Sequence, residues 1–299
     1  MKDYTISQQF AIIGLDGLDS INKSTQKTAV LRGILAAQYA EDFLEQLKDA
    51  PMEQLFKDLE ENVKKIRKQS KKVLYELEQK ISEKLINDGS MELVSSLMAC
   101  DMNYETSGIK IMDYRSEEMR YNSIKEGVRA EILEEGEISW ECFFLFWVMR
   151  ETGCIHEMFS SSEQEIVKNR MIHFSAEHQI YQDILSLEFQ NNFGAMTTQF
   201  LKVKKHMFKN PYLQGVNLSF PFLERRYSIF IDMVILGTDV KGRRQATISY
   251  LTEKGHKVEE LKRKQETILK IDNGYYRIFP TTRSARLPIQ GISLLPVYE

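Results

Sequence analysis

Thr267-Ile-Leu-Lys-Ile-Asp-Asn-Gly-Tyr-Tyr-Arg-Ile-Phe279 is the stretch that decides the fold class. Two short runs of β-branched and aromatic residues flank Asp272-Asn-Gly274, whose residue types tolerate the left-handed backbone of a tight hairpin turn. The same texture extends upstream. Tyr227-Ser-Ile-Phe-Ile-Asp-Met-Val-Ile-Leu236, Ala246-Thr-Ile-Ser-Tyr-Leu251 and Lys257-Val-Glu-Glu-Leu261 are short, β-branched or aromatic, and separated by Gly or charged turns. Each is predicted to be a strand of an antiparallel sheet. The prolines agree, since four of the six lie beyond Phe220, outside any long helical pattern. The end of the chain, through Leu287, Ile289, Leu294, Leu295 and Val297, is too apolar to hang free and is predicted to pack back on the body.

Before residue 210 the hydrophobic period changes from two to between three and four. Ser7 is predicted to cap a first helix over Gln8–Leu15, with Leu15-Asp-Gly-Leu-Asp19 as the break. From Ser24 to Leu47, the residues Val30, Leu31, Ile34, Leu35, Tyr39, Phe43 and Leu47 make an amphipathic helix that stops at Pro51. Residues 52–87 read as one long helix. There Phe56, Leu59, Val63, Ile66, Ser70, Val73 and Leu77 alternate as a heptad seam does, and Asn87-Asp-Gly89 supplies the stop. Such a seam requires a partner, either a neighbouring helix of the same chain or another protein or second copy.

Glu92–Asp101 is predicted as a short helix and Gly108–Tyr114 as a strand, followed by helices over Ser116–Glu135 and Ser139–Glu151. The last of these is apolar nearly all round from Cys142 to Met149, the mark of a central core helix. Glu163–Phe189 and Thr197–His206 complete the helical part. The expected architecture is α+β: a mainly helical body over residues 1–210, with a strand-rich segment over 211–299 packed on it.

Composition narrows function mainly by exclusion. A formal charge of −3, from 40 basic and 43 acidic residues, gives no global attraction to nucleic acid, and no nucleic-acid partner is expected. Cys100, Cys142 and Cys154 are odd in number and widely spaced, so they read as buried reduced thiols. No apolar h-region opens the chain, and the most apolar window, Phe143–Met149, is too short to span a bilayer. The expected location is cytoplasmic, with any membrane association peripheral.

One resemblance rests on specific residues. Tyr4-Thr5-Ile6, then Leu15-Asp16, then Leu31-Arg32-Gly33 and Glu41 follow the opening frame of the Golgi phosphoprotein family. A second match is Arg150-Glu-Thr-Gly-Cys-Ile155 followed by Met158-Phe159 and a polar helix from Ser162. The resemblance covers residues 4–48 and 116–172. It implies a mainly helical, non-catalytic adaptor that binds phosphoinositide head groups at a membrane surface, without a cofactor. It also implies that Arg32 stands where the family has its first phosphate-binding arginine. Lys23 occupies the place of the family's membrane-resting aromatic, and the second basic pair falls on Ser139 and Cys142.

The residues offer further chemistry of their own. Lys64-Lys-Ile-Arg-Lys-Gln-Ser-Lys-Lys72 is the densest basic cluster, and on one continuous helix Lys64, Lys68, Lys71 and Lys72 would share a side. Placed near anionic lipid, each base contributes about 1 kcal/mol. A solvated face balanced by Glu60, Glu61, Glu76 and Glu78 is the competing reading. Asp232 in one predicted strand and Glu260-Leu-Lys262 in another have the residue types of a metal-dependent hydrolase or nuclease. Alternation, however, points Asp232 away from the apolar face formed by Ile229, Ile231 and Met233. His173 and His178, five apart on a helix, point in different directions and suit no metal. Arg277, Arg283 and Arg286 could form an anion-binding loop. No catalytic or resident metal site is expected.

Overall fold

A computed structural model describes residues 4–21, 24–105, 107–108, 110–160, 162–177, 179–208, 225–233, 239–262, 267–284 and 288–298. Lys23, His178, Arg286, Leu287, the far end of the 227–236 stretch and the side chain of Lys262 lie outside what is described. The architecture is α+β, with twelve α-helices and two antiparallel sheets among the described residues.

Helix α1 spans Ile6–Leu15 and is capped by Thr5, not Ser7. The Thr5 side chain accepts from the Gln8 N–H, and Gln8 Oε1 accepts from the Thr5 N–H at 3.2 Å, a reciprocal capping box. Ser7, the second residue of the helix, is buried with its N–H on Glu41 Oε1. Helix α2, Thr25–Glu45, starts at the Ser24 cap as its pattern predicts. The two helices run antiparallel, and a Cβ added at Gly33 would sit 2.6 Å from the Phe10 ring and 2.7 Å from the Thr152 methyl. Only glycine permits that approach.

The 52–87 stretch is two helices: α3, Met52–Ile66, and α4, Lys71–Asn87. Ser70, a seam position in the heptad reading, is the N-cap of α4. Leu59, Val63 and Ile66 are buried by the same chain, whereas Val73 is 43% exposed. A continuous helix of that length would be a rod of roughly 54 Å, far longer than the roughly 32 Å of α2 on which it would have to bury its seam. Breaking at Ser70 lets both shorter helices pack on α2.

Residues 92–101 also differ from the expected helix. They begin in strand β1, Met91–Ser95, and continue through a 3₁₀ turn at Leu97–Cys100 into the single-turn helix α5, Met102–Glu105. β1 pairs antiparallel with β2, Met112–Ser116, over Met91↔Ser116 to Ser95↔Met112. Residues 17–20 line the other edge of β2 through Gly17 N–H to Tyr114 O, Tyr114 N–H to Leu18 O and Ser20 N–H to Met112 O.

Next come α6, Glu118–Leu133, and α7, Trp140–Thr152. Ser139 caps α7, and Gly153 ends it with φ +73. Every residue from Cys142 to Met149 is buried, so α7 is the central helix that its composition predicts. Trp147 Nε1 donates to Leu187 O at 3.0 Å, which satisfies the one polar atom of the largest core side chain. The short α8, Ile155–Met158, then α9, Glu163–Glu177, α10, Gln179–Ser186, and α11, Phe193–Phe208, close the helical part. All three cysteines are buried and free.

The C-terminal sheet contains β3, Ile229–Asp232, β4, Val258–Lys262, β5, Thr267–Ile271, β6, Gly274–Ser284, and β7, Pro288–Val297. Its order is β3-β7-β6-β5-β4, antiparallel throughout. The hairpin forms as predicted: Ile271 pairs with Gly274, and Asp272 takes the left-handed φ of +52. Ala246–Leu251 is not a strand but part of helix α12, Val240–Glu253. Asp239 caps this helix by accepting the Gly242 N–H at 2.6 Å, and Thr247 and Leu251, four apart, form its buried stripe. The apolar end segment is strand β7, hydrogen-bonded on both sides. A second core joins Ile229, Ile231, Leu269, Ile271, Ile292 and Leu294 of the sheet to Leu251 of α12 and to Leu97 and Cys100 of the 3₁₀ turn.

Candidate functional site

Helix α2 packs on α4, where Lys27 pairs with Glu78 and Thr28, Leu31, Lys71, Leu74 and Tyr75 line the crevice between the two helices. That packing places Arg32 at the corner where α3 turns into α4. Arg32 Nη2 donates to the Arg67 backbone carbonyl at 3.3 Å, and its buried Nε has no hydrogen-bond partner among the described residues. Burial and then the neighbouring Arg67 charge lower the Arg32 pKa from its ordinary value, though an arginine stays cationic. Arg67 reaches the other way. Its Nε donates to Glu188 O at 2.8 Å, and its Nη2 lies 3.8 Å from Glu188 Oε2.

The lysines predicted to share one helix side are divided by the Ser70 break. Lys64 sits on α3, Lys68 in the turn, and Lys71 and Lys72 on the first turn of α4. Lys64 pairs with Glu60 at 2.8 Å and Lys72 with Glu76 at 4.0 Å, both along their own helices. Lys68 and Lys71 are exposed and enter no ion pair among the described residues. The corner thus concentrates Arg32, Arg67, Lys68 and Lys71. Arg67 was not singled out in the sequence. The signal that could have marked it is Ser70 as a helix cap, which makes residue 67 the end of a helix.

Behind the corner, Lys27 and Glu78 form a buried ion pair at 2.6 Å. The Lys27 ammonium also donates to Asp19 O at 3.0 Å and Ser20 O at 2.8 Å, and Tyr114 donates to Glu78 at 3.0 Å. Burial raises the Glu78 pKa against these partners. This group ties the 17–20 segment to α4 and leaves the corner a rigid backing.

The carboxylates of the hydrolase reading do not meet. Asp232 is exposed on β3 and Glu260 lies on β4, the two outer strands of the sheet, with β7, β6 and β5 between them. Four strand spacings amount to about 19 Å, well beyond a shared metal ion. Glu260 instead pairs with Arg244 at 3.1 Å. Among the described residues no group of three His, Cys, Asp or Glu side chains is placed to hold a metal. Arg283 is likewise committed, stacked 4.6 Å over Phe230 and 3.4 Å from Asp101, so it does not form a separate anion loop.

The densest buried charge is one that sequence reading missed. Arg225 donates to the carbonyls of Gly14 at 2.8 Å, Ile13 at 3.1 Å and Asp16 at 2.7 Å, capping the C-terminal end of α1. Arg226 meets Asp16 at 3.1 Å and Glu157 at 3.2 Å. Asn273 of the hairpin donates to Asp16 Oδ1 at 2.8 Å and Ser116 O at 3.0 Å. Burial raises the Asp16 pKa, opposed chiefly by Arg226. The two guanidinia are matched by two carboxylates, so this cluster docks the C-terminal sheet.

No family model matches the chain, and no curated protein or solved structure is significantly similar to it. No helix among the described residues is long and apolar enough to cross a membrane.

Proposed function

We propose that this is a non-catalytic binding protein whose α2–α3–α4 corner takes anionic phospholipid head groups at a membrane surface. One observation carries the reading: Arg32 is packed against Arg67 with no carboxylate of its own among the described residues. Burial and the nearby Arg67 charge both disfavour the Arg32 cation, a bound anion would offset them, and the guanidinium fork suits a phosphate. Lys68 and Lys71 extend the same patch. At about 1 kcal/mol for each base near an anionic bilayer, Arg32, Lys68 and Lys71 supply roughly 3 kcal/mol, with Arg67 offset by its Glu188 partner. The −3 net charge would keep the attraction local. The resemblance to Golgi phosphoproteins points the same way, because Arg32 is the position they share.

Self-association through residues 52–87 has less support, since Leu59, Val63, Ile66 and Leu74 are already covered by the same chain. The test is co-sedimentation with neutral vesicles and with vesicles containing phosphatidylserine or phosphoinositide. Pelleting should depend on the anionic lipid and weaken with salt. Lys68→Glu with Lys71→Glu should abolish it, Arg32→Ala should reduce it, and Lys64→Glu with Lys72→Glu should matter less. Equal pelleting with neutral and anionic vesicles would refute the proposal.

A further inference from the structure

On the far side of the Lys27–Glu78 pair, the 17–20 segment places Asp19 directly opposite Asp113 in an antiparallel bridge along β2. Directly opposed residues of such a pair hold their Cβ atoms about 4.5–5.5 Å apart, where two like charges repel. The C-terminal sheet closes over this pair with groups of its own. His256, in the turn between α12 and β4, is buried; its Nδ1 is 2.8 Å from Asp272 Oδ2, and its Nε2 has no hydrogen-bond partner among the described residues. Asp272 also receives Arg115 Nη1 at 2.8 Å and the Lys257 N–H at 3.1 Å. Glu92 draws the same Arg115 guanidinium from the β1 side at 3.0 Å. The Tyr227 phenol, ahead of β3, has its pKa raised by burial and then by Asp113 and Asp19. The junction therefore sets the opposed Asp19 and Asp113 beside His256 and Asp272, while Arg115 is shared between Asp272 and Glu92. With all three aspartates ionised it carries an excess of negative charge between two layers of the fold.

We propose that this junction is a pH-responsive fastening, in which a proton held by Asp113, opposite Asp19, keeps the β1–β2 hairpin seated against the C-terminal sheet and loss of that proton loosens the contact. Burial is the main reason the Asp113 carboxyl is raised from 3.8 to about 7, with Asp19 adding to it against Ser96 and His256. A carboxyl raised in the closed state makes the fastening strongest below its ordinary pKa, and that strength is lost as pH rises through about 7. Between about pH 6 and pH 8 the opening constant should rise about tenfold, most of it below pH 7, and then level off. The fastening is independent of the lipid reading, because none of its residues belongs to the basic corner.

Hydrogen exchange on the full chain, corrected for the intrinsic pH dependence of amide exchange, tests it at β1, β2, β4 and β5. Opening in these segments should be about tenfold greater at pH 8 than at pH 6 in the unaltered protein. Asp113→Asn should make it flat, and Asp19→Asn should weaken the dependence. Exchange that is flat in the unaltered protein, or equally pH-dependent in Asp113→Asn, would overturn the proposal. If Asp113→Asn does not fold, NMR titration of the Asp113 carboxyl carbon in the unaltered protein decides: a midpoint near 7 supports the fastening, and one below about 5 overturns it.

Discussion

Replacing Glu157 by Gln removes a carboxylate that forms ion pairs with both buried guanidinia. Glu157 Oε1 lies 3.3 Å from Arg225 Nε and 3.2 Å from Arg226 Nε, with Arg226 Nη2 3.3 Å from Oε2. Glutamine keeps the volume, so packing is conserved and the change is electrostatic. Afterwards Asp16 alone faces both arginines, leaving one buried positive charge uncompensated. Removing one partner of a buried pair costs about 3–5 kcal/mol. At about 2 °C per kcal/mol for a chain of this size, Tm should fall by roughly 6–10 °C in circular-dichroism melts. The double variant Glu157→Gln/Arg226→Gln restores neutrality and should lose less than the two single changes added together. The acid limb gives a second readout. Burial works against ionisation of Glu157, but Arg226 and Arg225 hold its carboxyl down from 4.5 to about 2. For a depressed carboxylate the stabilisation is present above the ordinary pKa and is lost as pH falls from 4.5 toward 2. Glu157→Gln should lack that acid-induced loss. A melt within about 0.5 kcal/mol of the unaltered protein, or an unchanged acid slope, would refute the assignment of this cluster as the docking charge of the sheet.

Two further substitutions separate the helices around the corner. Val63→Asp buries an unpaired carboxylate and should unfold the chain, by several kcal/mol in urea titration, whereas Val73→Asp at the exposed start of α4 should stay within about 0.5 kcal/mol; a folded, soluble monomer from Val63→Asp would contradict the intramolecular packing of α3. Gly33→Ala drives a methyl into the Phe10 ring and the Thr152 methyl and should lower stability by about 1–3 kcal/mol, read as a lower urea midpoint, and a neutral result would show that α1 and α2 can move apart freely.

The site was less legible than the fold. Arg32 could be singled out only through a resemblance, and nothing near it in sequence announces Arg67, thirty-five residues away, as its neighbour. The basic cluster was visible, but its division into internally paired Lys64 and Lys72 and into Lys68 and Lys71, which enter no ion pair among the described residues, depends on where the helix breaks. Asp16 was visible as part of a helix break. Its role as the anchor for Arg226 and Asn273 was not, because both partners lie more than two hundred residues further on.

What the chain's sequence determined by itself is what few-residue physics can decide. Ser24 and Ser139 cap their helices by side-chain hydrogen bonds, Gly153 ends α7 in the left-handed region, and Asp272-Asn-Gly274 makes its hairpin. Cys142–Met149 is apolar on every face, so it is the central helix in any compact arrangement. Tertiary structure decided the cases in which local preferences were nearly equal. Ala246–Leu251 carries β-branched residues suited to a strand, yet the Asp239 cap and the burial of Thr247 and Leu251 against the sheet make it a helix. Ser70 could continue a heptad or cap a new helix, and the length of α2 favoured the cap. The pairings of Arg32 with Arg67 and of Asp19 with Asp113 were likewise set by tertiary packing, because burial, unlike a cap or a turn, depends on groups that only the folded chain brings together.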